Sequence, residues 1–383
     1  MYFPRARGRG ITTAVRSLVV TSATAAVLAL SPVAARGDTE AQAGAVPLRG
    51  PAAAGFDVSR LGLGFHGSFE AFNVTRTRPL REALAQELVA ADTAVLATST
   101  PDGLLALLTE QMAYHHVAQG RTRGHAWLVT FCVVCNTGAQ LTPTVGGART
   151  TFETVGVYDG MMVMQDAATG TIWHHVTGDA LYGPAVGERL GPPHNVLHLT
   201  VEQLLVRAPD ARIAISDRIY VAGGRRHGTA EGLSLVGGVY RPENRSGLST
   251  QFAATLGLED RRRPRMDLGL GIRSETGSRY YPRERLRAEG DALIDRVEGR
   301  RLLVYLDPVT ATPAALFVTA TRARMDGEIV RLDDGSTVRD SALYDSRGAR
   351  VTAERPLQVF TRWYGFALTF PETSIFGEAE DQG

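Results

Sequence analysis

Two cysteines are the residues of this chain with the clearest capacity for chemistry. Cys132 and Cys135 are its only cysteines and are separated by two residues, so neither has a third cysteine with which to pair. Such a pair can close a local disulfide, bind a metal ion, or remain as two packed thiols. Each outcome implies a different function.

Histidines near this pair in the sequence could complete a metal site. Two thiolates and an imidazole suit zinc in a tetrahedral site, or copper as a softer ion. In a strand, neighbouring side chains point to opposite faces, so at most one of His174 and His175 should face the thiols if that segment is extended. The candidate ligands are Cys132, Cys135, His115 and His116, and the other histidines that could reach the thiols are His125, His174 and His175.

Thiol redox chemistry and a purely structural role stay open beside metal binding. A reversible disulfide fits a C-x-x-C pair in an oxidising compartment. However, residues 136–138 predict a turn, and not the helix whose N-terminus lowers the thiol pKa in thioredoxin-like motifs. A static disulfide, or two thiols packed at the end of a strand, is the alternative without chemistry.

Three further residues are candidates for a site outside the cysteine pair. Asp166 could form a carboxylate pair with Asp179 near Trp173, although aspartates that cap turns are commoner. Trp173 and Trp363 could line a small-molecule cleft together with Tyr364 and Phe366, although aromatic residues at such spacing are more often core.

Charge and the first residues bear on partners and on location. The 41 basic residues, all arginine, nearly balance 40 acidic ones, and a net charge of +1 predicts no nucleic-acid partner. Arginines followed by the apolar residues 17–30 and the small residues 31–35 predict a signal peptide, with an uncleaved anchor as the rival. We therefore expect a periplasmic or secreted protein without any other membrane-spanning segment, and no small-molecule or protein partner is identified.

The elements around the cysteines are mostly strands. Residues 126–131 are apolar and rich in β-branched or aromatic types, so they predict a buried strand that ends at the thiols. Short strands separated by glycine turns are predicted over residues 161–165, 171–176 and 180–182, and a helix over residues 79–88. This pattern predicts an α+β fold rich in antiparallel sheet.

An internal repeat is predicted from an overlay of two segments. Residues 128–141 align with residues 303–316, and Asp307 and Thr310 then take the places of the cysteines. Two pseudo-repeated units, of which the second is degenerate, would account for the chain length. The predicted organisation is a signal peptide over 1–35, a linker over 36–55, a first unit over 56–258, a linker over 259–266 and a second unit over 267–383.

The motifs resemble one family, the domain of unknown function 3179, which occurs in bacterial and archaeal proteins that are often exported. The resemblance rests on His115 ahead of the C-x-x-C segment 129–138, on residues 163–173, and on Trp363 with the Pro-Glu-Thr of 371–373. It covers residues 93–216 well and residues 267–376 more loosely. The sequence departs from the family pattern at His116, where the family has an acidic residue, and at Val133, where it has proline.

The family resemblance implies no activity, so the functional hypothesis comes from the residues. It is an exported protein that binds a transition metal, zinc or copper, or carries a redox-active thiol pair at Cys132, Cys135 and His115. The alternative is a non-catalytic binding or scaffold protein with a structural disulfide. Neither the reaction nor the question of whether the protein is an enzyme follows from the sequence.

Overall fold

The described part of the chain folds into short, mostly antiparallel strands, with α-helices of only four to seven residues. The structure is a computed structural model that describes residues 48–218, 220–222, 225–227, 242 and 247–378. Of these described residues, 41% lie in strands and 13% in helices, and six small sheets are arranged as a six-bladed β-propeller. The predicted α+β class is therefore wrong, because helices this short form no layer of their own.

The first sixteen strands precede residue 218. In chain order they are β1 (Gly62–Leu63), β2 (Phe72–Val74), β3 (Arg78–Pro79), β4 (Ala94–Thr100), β5 (Gly103–Leu108), β6 (Val117–Thr122), β7 (His125–Cys132), β8 (Thr137–Leu141), β9 (Thr144–Val145), β10 (Ala148–Arg149), β11 (Phe152–Tyr158), β12 (Met161–Asp166), β13 (Ile172–His174), β14 (Ala180–Tyr182), β15 (Leu197–Thr200) and β16 (Arg212–Ala214).

The remaining described strands follow residue 219. They are β17 (Tyr220–Ala222), β18 (Arg225–His227), β19 (Leu268–Arg273), β20 (Ser278–Pro282), β21 (Ala292–Val297), β22 (Arg300–Leu306), β23 (Pro313–Phe317), β24 (Ala323–Asp326), β25 (Ile329–Leu332), β26 (Thr337–Arg339), β27 (Ala342–Tyr344), β28 (Arg350–Val351), β29 (Leu357–Arg362) and β30 (Ser374–Ile375). The helices are a 3-10 turn (Val58–Arg60), α1 (Leu80–Ala85), α2 (Thr109–His115), α3 (Val201–Arg207), α4 (Thr250–Ala253), α5 (Arg283–Ala288) and α6 (Trp363–Thr369).

Each blade is one of the six larger sheets. Blade I has the strand order β1-β11-β12-β13-β14, blade II β2-β6-β7-β8 and blade III β15-β4-β5-β16-β3. Blade IV runs from β24 to β28, blade V is β21-β22-β23 and blade VI is β29-β19-β20-β30. Among the described strands, β9-β10 and β17-β18 form two additional ribbons.

Blades III and VI have matching strand orders. In each, two antiparallel strands are central, a later strand pairs antiparallel on one side and a further strand pairs parallel on the other. The short helices α3 and α6 take equivalent places between those later strands. A shared strand order describes how the two blades fold and does not test whether their sequences are repeats. The repeat predicted from the sequence, with its boundary at residues 259–266, therefore stays a prediction.

The cysteines lie in the core that blades I and II share. That core contains Cys132, Cys135, Met161 and Trp173, and Tyr364 of α6 packs into it. Blades II and III share a second core around Phe131. The predicted signal peptide lies outside the described residues, and within them no helix is both long and apolar enough to cross a bilayer.

Candidate metal centre

A β-hairpin positions the two cysteines. Cys132 is the last residue of β7 and pairs with Thr137 at the start of β8. Between them the chain reverses through Asn136, whose φ of 58° lies in the left-handed region that asparagine tolerates better than most residues. The strand that the sequence predicts over 126–131 is thus present, and both thiols lie at the tip of its hairpin.

His175 reaches the hairpin from blade I. It follows β13 directly, and its carbonyl accepts a hydrogen bond of 2.8 Å from Thr130 Oγ1 on β7. This bond fixes the main chain of blade I against the strand that carries Cys132. The imidazole is thereby brought to the thiols across 40 residues of sequence from Cys135.

The three side chains form a compact and buried group. One ligand atom from each of Cys132, Cys135 and His175 lies within 4.8 Å of the other two, and Cys135 Sγ is 3.9 Å from His175 Nε2. Their exposed fractions are 1%, 0% and 0%. Tetrahedral zinc with ordinary bond lengths places such atoms about 3.5–3.8 Å apart, so a small inward movement would bring them to bonding distance.

The two thiols differ in acidity. A hydrogen bond from Cys135 lowers the pKa of the Cys132 thiol to about 7, aided by the main-chain N–H groups of Cys135, Met162 and Val134 and opposed by burial. Burial raises the pKa of Cys135 well above its ordinary value, and Cys132 adds to the rise. Both cysteines are free thiols and no disulfide joins them. The pair therefore supplies one sulfur that ionises near neutral pH and one that needs a cation to lose its proton.

The imidazole of His175 is neutral. Burial lowers its pKa well below the ordinary value, and the nearby His174 and His116 lower it further. Among the described residues, its Nδ1 has no hydrogen-bond partner although it is buried. A neutral imidazole whose Nε2 lies beside a thiol has the form in which histidine binds metals.

Blade VI holds the hairpin tip from the other side. Arg362 donates from its main-chain N–H to Cys135 O at 3.0 Å and from Nε to Val134 O at 2.9 Å. Asn136 Nδ2 donates to Phe360 O at 3.0 Å. These bonds fix the main chain of the C-x-x-C segment, so the sulfur positions depend on a strand that comes more than 200 residues later.

Helix α6 closes the pocket around the sulfurs. A Cβ at Gly365 would lie 3.5 Å from Cys135 Cβ and 3.3 Å from Met161 Sδ, so the helix packs directly on the cysteine. Tyr364 donates to Gly160 O at 2.9 Å, and burial together with the neighbouring Cys135 and Cys132 raises its pKa well above the usual range. Tyr364 is therefore a neutral phenol beside the thiols.

The predicted ligands His115 and His116 lie outside this group. His115 Nε2 is 2.9 Å from Ser216 Oγ and its Nδ1 is 2.5 Å from Glu70 O, so other partners engage both ring nitrogens. His116 Nδ1 is 2.8 Å from Tyr114 O. His125 is exposed, and His174 Nδ1 accepts two main-chain N–H bonds of the turn that follows it. Of the five histidines that the sequence offers as candidates, the structure brings His175 to the thiols.

The other candidate residues, Asp166, Trp173 and Trp363, make hydrogen bonds within the fold. The Asp166 carboxylate accepts main-chain hydrogen bonds from the turn that follows it and a bond of 2.9 Å from Trp173 Nε1. Asp179 instead pairs with Arg189, so the two carboxylates have different partners. Trp363 is fully buried and donates to Asp260 O at 2.8 Å. Both tryptophan side chains are fully buried.

Comparison with known proteins gives one match. A family model described as a protein of unknown function (DUF3179) matches residues 79–373, which includes all three members of the buried group. No curated protein matches the chain, and no solved structure does.

Proposed function

The chain belongs to the DUF3179 family of proteins of unknown function, and we propose that this member binds one transition-metal ion through Cys132, Cys135 and His175. The observation that carries the proposal is the buried meeting of two thiols and a neutral imidazole, with one donor atom of each inside 4.8 Å. A bound cation would take the two sulfurs as thiolates and the Nε2 lone pair of the neutral imidazole as its ligands.

Zinc and copper(I) are the ions that suit these ligands. Thiolates are soft ligands and imidazole is accepted by both metals. The core around the site also contains the thioether side chains of Met161, Met162 and Met164, which provide a soft and apolar environment. The three residues supply three ligands, so a tetrahedral zinc ion would take its fourth ligand from a water or another small molecule. Storage of an electron at this centre would require copper, because zinc has no redox chemistry.

A thiol redox function is the weaker alternative for the same cysteines. Exchange requires a thiolate to attack a disulfide of a partner along an accessible path. Cys132 has a lowered pKa, but its exposed fraction is 1% and that of Cys135 is 0%. Free thiols in this position also do not support the structural disulfide of the scaffold hypothesis.

We also propose that the protein acts in the periplasm or outside the cell. The support is the sequence of residues 1–35, which has an arginine-rich start, an apolar stretch and small residues. In an oxidising compartment a bound ion would protect the two thiols from oxidation.

The proposal is tested by metal binding to the full chain. The reduced, metal-free protein is titrated with Zn²⁺ or Cu⁺ in competition with a chromophoric chelator, and bound metal is measured by mass spectrometry. We expect one ion per chain, and Cys132→Ser, Cys135→Ser and His175→Gln should each lower affinity by more than about 100-fold, the upper range for outer-shell changes. The relative affinities for the two ions identify the metal.

Two histidine variants are matched controls. His115→Gln and His125→Gln remove imidazoles outside the group and should leave affinity unchanged. Urea unfolding without metal shows whether each variant is folded. A wild-type protein that binds neither ion more tightly than micromolar would refute the proposal, and so would loss of affinity in His115→Gln with retention in His175→Gln.

A further inference from the structure

A cavity of about 380 Å³ lies beside the hairpin that carries the thiols. Its lining includes Ala139 of β8 and Val176, which directly follows His175. Blade VI contributes Gly271 and Val359, and α6 contributes Phe366. The volume is at the small end of the range for ligand pockets, and the walls are mostly apolar, as in sites for small organic molecules.

Charged side chains at this cavity leave a net positive charge. Asp179 and Arg189 both line it and pair with each other, with Arg189 Nε 2.6 Å from Asp179 Oδ1. Arg273 also lines it, and its guanidinium lies 5.2 Å from the centroid of the Phe370 ring. Among the residues that the structure describes, no carboxylate lies within ion-pair distance of Arg273.

The aromatic ring holds Arg273 without neutralising it. A guanidinium over an aromatic face keeps its charge, and the N–H donors in its own plane match the two oxygens of a carboxylate. Arg273 is also the cross-strand partner of Leu357, whose side chain is a further part of the lining. The apolar part of the lining and the guanidinium of Arg273 therefore lie on the adjacent strands β29 and β19.

We propose that this cavity binds a small organic acid, with its apolar part against Val359 and Phe366 and its carboxylate on Arg273. The site is separate from the thiol and imidazole atoms. The proposal does not rest on metal binding, because the cavity lining includes none of Cys132, Cys135 and His175.

The test compares three probes of nearly equal shape and different charge. Phenylacetate, phenylacetamide and 2-phenylethylammonium are titrated into the metal-free full chain and followed by ligand-observed NMR and calorimetry. Phenylacetate should bind most tightly and the ammonium most weakly. Because Arg273 is exposed, its charge should favour the acid over the amide by about fivefold.

Two variants separate the charge from the apolar wall. Arg273→Gln should abolish the preference for acid over amide without changing amide binding, and Leu357→Trp should fill the cavity and lower the affinity for both. Arg121→Gln, at an exposed arginine in a different pocket, is the matched control and should bind as the wild type does. Urea midpoints verify that each variant is folded.

Three results would overturn the proposal. The first is no binding of phenylacetate at millimolar concentration, and the second is equal binding of acid and amide by the wild type. The third is an unchanged preference in Arg273→Gln. Repeating the titration with Cys132→Ser keeps this test independent of the metal centre, since that variant should bind phenylacetate normally even where it binds no ion.

Discussion

Replacing the buried Arg362 by methionine should destabilise the protein far more than the same change at an exposed arginine. The side chain is 1% exposed, and its three nitrogens donate to the carbonyls of Val134, Met266 and Pro242 at 2.9, 2.8 and 2.7 Å. Methionine has a similar length but no donor. The substitution would therefore leave three carbonyl oxygens without this donor.

The size of the effect follows from those bonds. A hydrogen bond to a charged group contributes about 1.5–3 kcal/mol, so three of them contribute more than about 4 kcal/mol. Removing a buried charge relieves its desolvation cost, which offsets part of that loss. We expect the free energy of unfolding to fall by about 3 kcal/mol.

Urea unfolding of the full chain measures this loss. The midpoint should fall while the slope of free energy against urea stays constant, because the surface exposed on unfolding is unchanged. Arg296→Met is the matched control, since Arg296 is exposed and donates to a single carbonyl, that of Gly299, at 3.0 Å. A loss in Arg362→Met no larger than in this control would refute the account of the hairpin support.

Two other predictions concern the metal centre and its neighbour. Metal binding requires thiolates, so the affinity for the metal should rise between pH 6 and 8. In this range Cys132 ionises near pH 7, while Cys135 still has a proton that the metal must displace. Competition titrations at three pH values check this, and an affinity that does not change with pH would contradict it. Asp166→Asn should lower the free energy of unfolding by about 2 kcal/mol, because the turn and Trp173 lose a charged hydrogen-bond acceptor. The metal content should stay the same, and a changed metal content would contradict a structural role. Asp210→Asn, at an exposed aspartate, is the control.

The position of the thiols was predictable from local pattern. An apolar, β-branched stretch followed by asparagine and glycine indicates a strand and a turn, and the strand His125–Cys132 is observed. This prediction needs no long-range information because β-propensity and turn chemistry act over a few residues.

The third member of the group was harder to predict. His115 is nearer to Cys132 in sequence, but it is the last residue of α2 and its ring bonds Glu70 and Ser216. His175 comes from another blade, and its position beside the thiols depends on the contact between that blade and β7. The alternation rule allowed at most one of His174 and His175 to face the thiols if the segment were extended; β13 ends at His174, and His175, in the turn that follows, is the one that lies beside them.

The fold class was wrong for a physical reason. Leu80, Leu84 and Leu88 have helical spacing, which predicts a longer helix, but α1 ends at Ala85 and Glu87 has a φ of 56°. In the fold, α1 packs against α3 and β16, and these tertiary contacts outweigh the local helical spacing of the leucines. How six sheets close into a propeller depends on packing between blades, which strand periodicity does not contain.

The bond from Arg362 to Val134 spans 228 positions of the chain. During synthesis the two thiols therefore emerge long before the arginine that holds their loop. Until blade VI packs against the hairpin, the C-x-x-C segment lacks these hydrogen bonds, and its thiols are open to oxidants and to wrong partners. In the oxidising compartment that we propose, the thiols are therefore protected only once the last blade has packed or an ion has bound.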